Sequence, residues 1–302
     1  MSLSVTILGS GSALPLPGFH PSSQLVAAEA ANYLLDCGEG TQFRLRNLKL
    51  GFSRIRAICI SHLHGDHYYG LFGLLDSMAM TGRTEPLHLV APDELQSILV
   101  EFGRATQSPP AFPIYFSGTR EAPAIVYSDE LVTIEAFPVE HRIHCTGFLV
   151  REQTRQRNMI KEKLSGKLSF DSIRQLKDGK DVLDPDGNVI FSVEEYTTQP
   201  APPKKYAYCA DTIYQPSLSA YLSGVDLMYH EATFANEMAV KAHERGHSTA
   251  SQAAWLARDA AAGKLLIGHA SSRYDDVRQL VAEAAAIFPN VEYAEEGRTF
   301  VV

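Results

Sequence analysis

The densest chemistry in the chain is the stretch Ser61-His62-Leu63-His64-Gly65-Asp66-His67, three imidazoles and a carboxylate within six positions. Histidine is the commonest transition-metal ligand, and a neighbouring carboxylate suits zinc or another borderline divalent ion. The stretch follows directly on the apolar run Ile55 to Ile60, which reads as a β-strand. The cluster is therefore expected at a strand end, where α/β proteins collect their sites. On a loop leaving a strand, His62 and His64 point the same way, and Asp66 and His67 lie one turn further on. That spacing can divide between two metals a few ångströms apart. A dinuclear site needs more ligands, and they too should lie at strand ends. His141 follows the run Leu131 to Val139, Asp211 follows Tyr206 to Ala210, and His269 follows Leu265 to Gly268. A lone histidine in such a place is usually structural, but four exits converging on one edge have a shared purpose. This reading gives His62, His64 and His141 to one ion, gives Asp66, His67 and His269 to the other, and has Asp211 bridge them.

The elements that must position these residues are legible as short apolar, β-rich runs. Besides those above they are Val5 to Leu8, Gln24 to Ala27, Tyr33 to Cys37, Leu87 to Val90, Gly147 to Val150, Val225 to Tyr229 and Arg298 to Val302. Asp93 to Phe102, Thr249 to Ala262 and Asp275 to Phe288 carry apolar residues at three- and four-residue spacing and read as helices. Ser248-Thr249 followed by Gln252 predicts a helix start with Thr249 as its N-cap. The pattern predicts an α/β chain whose mixed sheets are covered by helices. With 302 residues, 45% of them hydrophobic and 21% charged, wholesale disorder and fibrous repeats are excluded. No apolar run reaches the roughly 18 residues of a membrane span. The first five residues show neither the basic nor the long apolar segment of a secretory signal, so a cytoplasmic chain is expected. Cys37, Cys59, Cys145 and Cys209 lie far apart and are expected as buried free thiols.

A net charge of −8 argues against a general nucleic-acid binder, but the charge is unevenly spread. Between Arg151 and Lys180 nine basic residues face four acids, which leaves +5 there and −13 elsewhere. From about Glu152 to Lys205 the chain turns polar, and Pro200, Pro202 and Pro203 precede the next strand. A solvated insertion between two core strands accounts for its existence.

With these residues in place, the chain resembles the metallo-β-lactamase superfamily and, within it, the ribonuclease Z family of tRNA 3′-processing endonucleases. The resemblance rests on the histidine motif with His141, Asp211 and His269. It also rests on Leu35-Asp36-Cys37-Gly38-Glu39-Gly40-Thr41-Gln42, His230-Glu231-Ala232-Thr233-Phe234, His247-Ser248-Thr249 and Gly268-His269-Ala270-Ser271-Ser272-Arg273-Tyr274. These stretches run nearly end to end. The resemblance implies an αβ/βα sandwich of two mixed β-sheets flanked by helices, forming one domain over 1–302. It implies two Zn2+ ions per chain, other divalent metals being chemically acceptable, precursor tRNA as substrate and a homodimer. The insertion 152–205 takes the place of the arm by which these enzymes grip the tRNA body. Its tip, Lys161-Glu162-Lys163-Leu164-Ser165-Gly166-Lys167, lacks the Gly-Pro-rich sequence of many members.

Phosphodiester hydrolysis needs a strong oxygen nucleophile and relief of charge on phosphorus, and two metal ions supply both. The resemblance implies that Asp66 orients or deprotonates the attacking water. His247 is the candidate general acid for the leaving oxygen, a role worth roughly 10² to 10⁴ in rate. A helix N-terminus favours its neutral form, while a phosphate and Glu231 favour the charged form. Glu231 is either its orienter or a structural acid capping amides. Ser271, Ser272 and Arg273 are candidate phosphate contacts, with a helix cap as the alternative. The loop Gly9-Ser10-Gly11-Ser12 resembles an anion nest, and His230 reads as a packing residue. A fold relative acting on another small ester would share every ligand, and a non-catalytic RNA-binding relative would not need them. A flavodiiron-type oxidoreductase would carry a carboxylate where Gly65 stands.

Overall fold

Two seven-stranded sheets carry the chain, seen in a computed structural model that describes residues 3–14, 18–164 and 168–302. The first runs Thr299–Val301, Ser4–Gly9, Ser23–Ala28, Ala31–Leu35, Ile55–Cys59, Leu87–Ala91, Ile114–Gly118. The second runs Val291–Tyr293, Lys264–Gly268, Leu227–Glu231, Lys205–Tyr208, Cys145–Glu152, Val132–Val139, Ala124–Ser128. Each sheet is mixed: its antiparallel half is built mainly from hairpins and its parallel half from helical crossovers.

Alternation along the strands shows how the layers form. Tyr33, Leu35, Ala57 and Cys59 enter one core together with Phe148, Tyr206 and Tyr208 of the second sheet. Their neighbours Leu34 and Ile58 enter another core with Leu45, Leu71 and Leu74 of the helices Thr41–Asn47 and Gly70–Met80. Side chains on a strand point to opposite faces, so a strand apolar at every position must be covered on both. Helices Ala250–Asp259 and Arg278–Ala285 cover the second sheet in the same way. The chain thus has the αβ/βα sandwich expected of it. The strands Ile114–Gly118, Ala124–Ser128 and Val291–Tyr293 were not predicted. They lie at or next to a sheet edge, and the first two alternate half-buried with exposed residues, so no continuous apolar run marks them.

Thr249 caps Ala250–Asp259 as expected: its hydroxyl accepts from the Gln252 amide while the Gln252 side chain accepts from the Thr249 amide. All four cysteines are buried and free. Among the described residues, no helix is long and apolar enough to cross a membrane.

Residues Gln153–Pro203 form a compact unit of their own. Asn158–Met159 pairs with Thr197–Thr198, and Val182–Leu183 with Val189–Phe191, around a small core of Leu176, Val182 and Val193. Its electrostatics differ from the sequence expectation. Over the whole unit, eight basic residues meet eight acidic ones, because Asp181, Asp184, Asp186, Glu194 and Glu195 follow the basic stretch. Arg157 donates to Glu194 at 3.0 Å and to the Thr197 hydroxyl at 2.7 Å, and Lys163 to Glu195 at 3.0 Å. Lys167, with Ser165 and Gly166, lies outside the described residues.

Candidate metal centre

Every expected ligand leaves the C-terminal end of a strand, and the strands bring all seven together. Nδ1 of His64 faces Nε2 of His62 at 3.0 Å and Nε2 of His141 at 3.1 Å. Oδ2 of Asp211 lies 3.7 Å from His62 and 3.9 Å from His141. Its other oxygen, Oδ1, lies 3.5 Å from Nε2 of His67 and 3.4 Å from Nε2 of His269. Oδ2 of Asp66 faces those same two nitrogens at 3.6 and 3.4 Å. Two of the donor groups are the expected ones, His62, His64, His141 with Asp211, and Asp66, His67, His269, and a third joins His247 to Asp211 and His269, each with its ligand atoms within 4.8 Å of one another. Asp211 presents one oxygen to each set.

These donors fit divalent cations. The Nε2 of His67 is buried and has no hydrogen-bond partner among the described residues. An imidazole nitrogen cut off from both water and partners is costly unless something such as a cation satisfies it. The far nitrogen of each of the buried histidines expected as ligands is tied down, as metal-binding histidines require. Nδ1 of His67 meets Asp36 at 2.7 Å, that of His62 the Ser61 hydroxyl at 3.0 Å, that of His269 the Thr233 hydroxyl at 2.9 Å, and that of His141 the Gly246 carbonyl at 2.6 Å. Burial pushes His62, His64 and His141 below the ordinary histidine range, which keeps them neutral donors. Burial acts on His67 too, but the Asp211 and Asp36 carboxylates outweigh it and raise that imidazole above the ordinary histidine range. Burial likewise opposes the charge on Asp211, yet His269 and His67 hold that carboxyl well below its usual range. The pocket is built around anions that call for a cation.

The backbone shows the strain of this convergence. Asp36, Ala210 and His269 adopt positive φ of 56°, 40° and 59°. Such conformations cost a non-glycine residue of order 1–3 kcal/mol and collect at functional sites. Gly246, at φ 76°, ends the helix Ala239–Arg245, and a Cβ there would approach Nδ1 of His141 to 2.8 Å. Only glycine lets that carbonyl reach its histidine.

Beside the donors, Nδ1 of His247 meets Glu231 at 2.8 Å. Burial works against charge on His247, but Glu231 outweighs it and pushes the imidazole up to about 9. Glu231 also accepts from the amides of Thr212 at 3.2 Å and Thr233 at 3.0 Å, so its carboxylate meets both His247 and the backbone. His230 is fully buried, as a packing residue should be.

The cavity over the cluster, about 460 Å³, is lined by His64, Asp66, Asp211, His247 and His269 and by four cations, Arg142, Lys241, Arg245 and Arg273. Arg273 lies over the Phe234 ring at 5.0 Å, and its Nε donates to Ser271 at 3.0 Å. Ser271 and Ser272 line a smaller adjoining cavity instead, and neither caps the helix Arg278–Ala285. The loop Gly9 to Ser12 is not an open anion nest: the Ser10 amide donates to Glu296 at 3.4 Å and the Gly11 amide to the His20 carbonyl at 2.9 Å. Asp36, Thr233, Arg142, Lys241 and Arg245 were not singled out from sequence. Lys241 and Arg245 carried a signal, being four residues apart on one helix directly before His247.

Comparison with known proteins agrees with this geometry. A family model described as Anti-Pycsar protein Apyc1 matches residues 3–155. The ribonuclease Z of Bacteroides fragilis is 42% identical over 294 residues, 96% of either chain. That of Cytophaga hutchinsonii is 41% identical over 303 residues, 100% of this chain and 97% of the relative. The crystal structure of human tRNase Z, short form, covers 99% of both chains at 24% identity with a TM-score of 0.71. The double sheet with its histidine and aspartate cluster defines a metal-dependent hydrolase of the metallo-β-lactamase fold. The chain belongs to the ribonuclease Z family, and its first half also fits the family described for Apyc1.

Proposed function

We propose that the chain is an endoribonuclease that cuts the 3′ trailer from precursor tRNA and leaves a 3′-hydroxyl on the tRNA. Two zinc ions would be held by His62, His64 and His141 and by Asp66, His67 and His269, with Asp211 shared. The observation that carries this reading is the ring of Arg142, Lys241, Arg245 and Arg273 around the donors. A chain of net charge −8 that gathers four cations about a cavity expects a polyanion there. When bound, the ions supply Lewis acidity for the phosphate oxygens and a water acidified to a pKa near about 7.

The chain's own groups do the rest. Asp66 turns a carboxylate oxygen toward the cavity, where it orients the attacking water and takes its proton. Water attacks phosphorus, the bond to the ribose 3′-oxygen breaks, and the trailer keeps the phosphate. His247 gives its proton to that departing oxygen, since Glu231 occupies Nδ1 and leaves Nε2 to act. Arg273 and its three fellow cations hold the flanking phosphates. Elemental analysis with a cleavage assay on trailer-bearing precursor tRNA tests the whole reading. A protein without metal that leaves the precursor intact would refute it.

Removing Lys241 and Arg245 together, as Lys241→Gln with Arg245→Gln, should raise KM for precursor tRNA several-fold. The slope of log affinity against log salt should flatten by roughly 0.7–0.9 per phosphate contact removed. Turnover of a nitrophenyl phosphodiester, which has no flanking phosphate, should hold. Salt-dependent binding checks this, and an unchanged slope would exclude these two residues from RNA contact.

The segment 153–203 is proposed as the arm that contacts the tRNA body. Because Arg157 and Lys163 are paired within it, the groups to test are Lys161, Arg174 and Lys180, which are exposed and make no ion pair among the described residues. Neutralising those three should raise KM for precursor tRNA and lower the salt slope, with the small substrate and metal content unaffected. A homodimer in the cytoplasm completes the proposal. Met80, Val100 and Phe102, exposed on the helices Gly70–Met80 and Glu94–Thr106, offer apolar surface that a second copy would cover, and buried free thiols suit a reducing compartment. Light scattering should read twice 33.2 kDa for wild type and for the arm variant. A single-chain mass in the wild type would remove the dimer.

A further inference from the structure

Tyr69 stands beside the donor cluster with 61% of its surface exposed. Its ring is seated on Gly65, which lines the cavity between His64 and Asp66. A Cβ at position 65 would fall 2.3 Å from Cε2 of that ring and 2.6 Å from its Cζ. Gly65 opens the short helix Gly65–Tyr68 and is not among the residues of positive φ, so its backbone does not call for glycine. The missing side chain leaves space, and the Tyr69 ring takes it. Tyr68 braces that ring edge-on, with centroids 5.0 Å apart. An aromatic ring gains most from burial, and Tyr69 gives up much of that gain at the edge of a polar cavity.

The proton for the departing ribose oxygen comes from His247. Among the described residues its neighbours are Glu231, Asp211, His141, His269 and Phe234, none of them in the loop 62–69. The last nucleotide of the tRNA owns that oxygen and so sits on the His247 side. Tyr69 belongs to the loop that brings in His64 and Asp66. The nucleotide across the phosphorus, the first of the trailer, is the one left to reach it.

We propose that Tyr69 is the platform on which the base of the first trailer nucleotide stacks. This rests on the endonuclease reading above. A single-stranded trailer can present any of the four bases there, and stacking tolerates all of them because every base has a π-face. Proteins read unpaired RNA bases by stacking them on aromatic side chains, so the platform also selects a 3′ end that has left the acceptor stem.

A non-cleavable precursor tRNA, with a methylene in place of the bridging 3′-oxygen and 2-aminopurine as the first trailer base, tests this by fluorescence. Wild-type protein and Tyr69→Phe should quench the probe on binding, since both rings stack, and Tyr69→Leu should not. Tyr69→Leu should also bind the precursor roughly 5- to 150-fold more weakly. A precursor with an abasic first trailer nucleotide has nothing to stack, so wild type and Tyr69→Leu should bind it equally. With the probe moved to the last tRNA nucleotide, its signal should not depend on residue 69. Equal losses by Tyr69→Leu on the intact and abasic precursors would make the ring structural and overturn the proposal. Quenching that survives in Tyr69→Leu, or that depends on residue 69 only at the last tRNA nucleotide, overturns it too. So does wild-type protein that binds intact and abasic precursors equally, an outcome that needs no variant to fold. Wild-type protein that binds no precursor removes the endonuclease reading itself, and the platform with it.

Discussion

Asp211→Ala should purify with less than one equivalent of metal and cleave no detectable precursor tRNA. The two oxygens of Asp211 face different donor sets, Oδ1 toward His67 and His269 and Oδ2 toward His62 and His141, all between 3.4 and 3.9 Å. Without that carboxylate the first set is three imidazoles with no anion, and the second keeps only Asp66. Two cations brought within a few ångströms repel strongly in a low-dielectric site, and the shared anion offsets that repulsion. Its loss therefore empties both positions. His64→Ala removes a ligand from one set only and should retain about one equivalent. Asp211→Asn separates charge from volume, since it fills the same space and should lose metal nearly as completely. Circular dichroism shows whether the variants keep the fold. Two full equivalents of metal in Asp211→Ala would sink the bridging role.

The convergence of these seven donor residues was legible because their chemistry does not depend on context: histidines and aspartates at the ends of apolar runs must face a common edge once the strands align. Residues that act through tertiary contact left no comparable mark. Asp36 lies 25 positions from Ser61, 31 from His67 and 172 from Tyr208, and only the pairing of the two sheets reveals what it holds. Arg142 is an ordinary surface cation in sequence, and it lines the cavity beside His141, whose Nδ1 meets the Gly246 carbonyl. The fold was read well in the strands buried on both faces, such as Ile55–Cys59, and poorly at the edges, where half the side chains meet water. Charge was misread for a different reason. The basic stretch ends at Lys180, and the acids that balance it begin at Asp181 in the same folded unit. Charge has to be counted over what folds together.

His247→Ala should keep both ions and the fold yet lose about 10² to 10⁴ in turnover of precursor tRNA. None of the donor pairs around Asp66, His67 or His62 needs His247, whose closest bond is to Glu231 at 2.8 Å. What it supplies is a proton for a poor leaving group, a ribose oxygen. A nitrophenolate departs without one, so the nitrophenyl phosphodiester should suffer far less. Equal losses on the two substrates would make His247 structural. The pH profile gives a second, independent check. Burial disfavours the imidazolium, and Glu231 overcomes this to raise His247 to about 9. A raised value means the proton is held below that pH and lost as pH rises through it, so turnover should fall on the alkaline side. Glu231→Gln removes the larger of the two carboxylate charges that raise it and leaves Asp211 alone against burial. The alkaline fall should then move to lower pH, while metal content stays at two equivalents. An alkaline limb that stays in place in Glu231→Gln would show that His247 does not provide the proton.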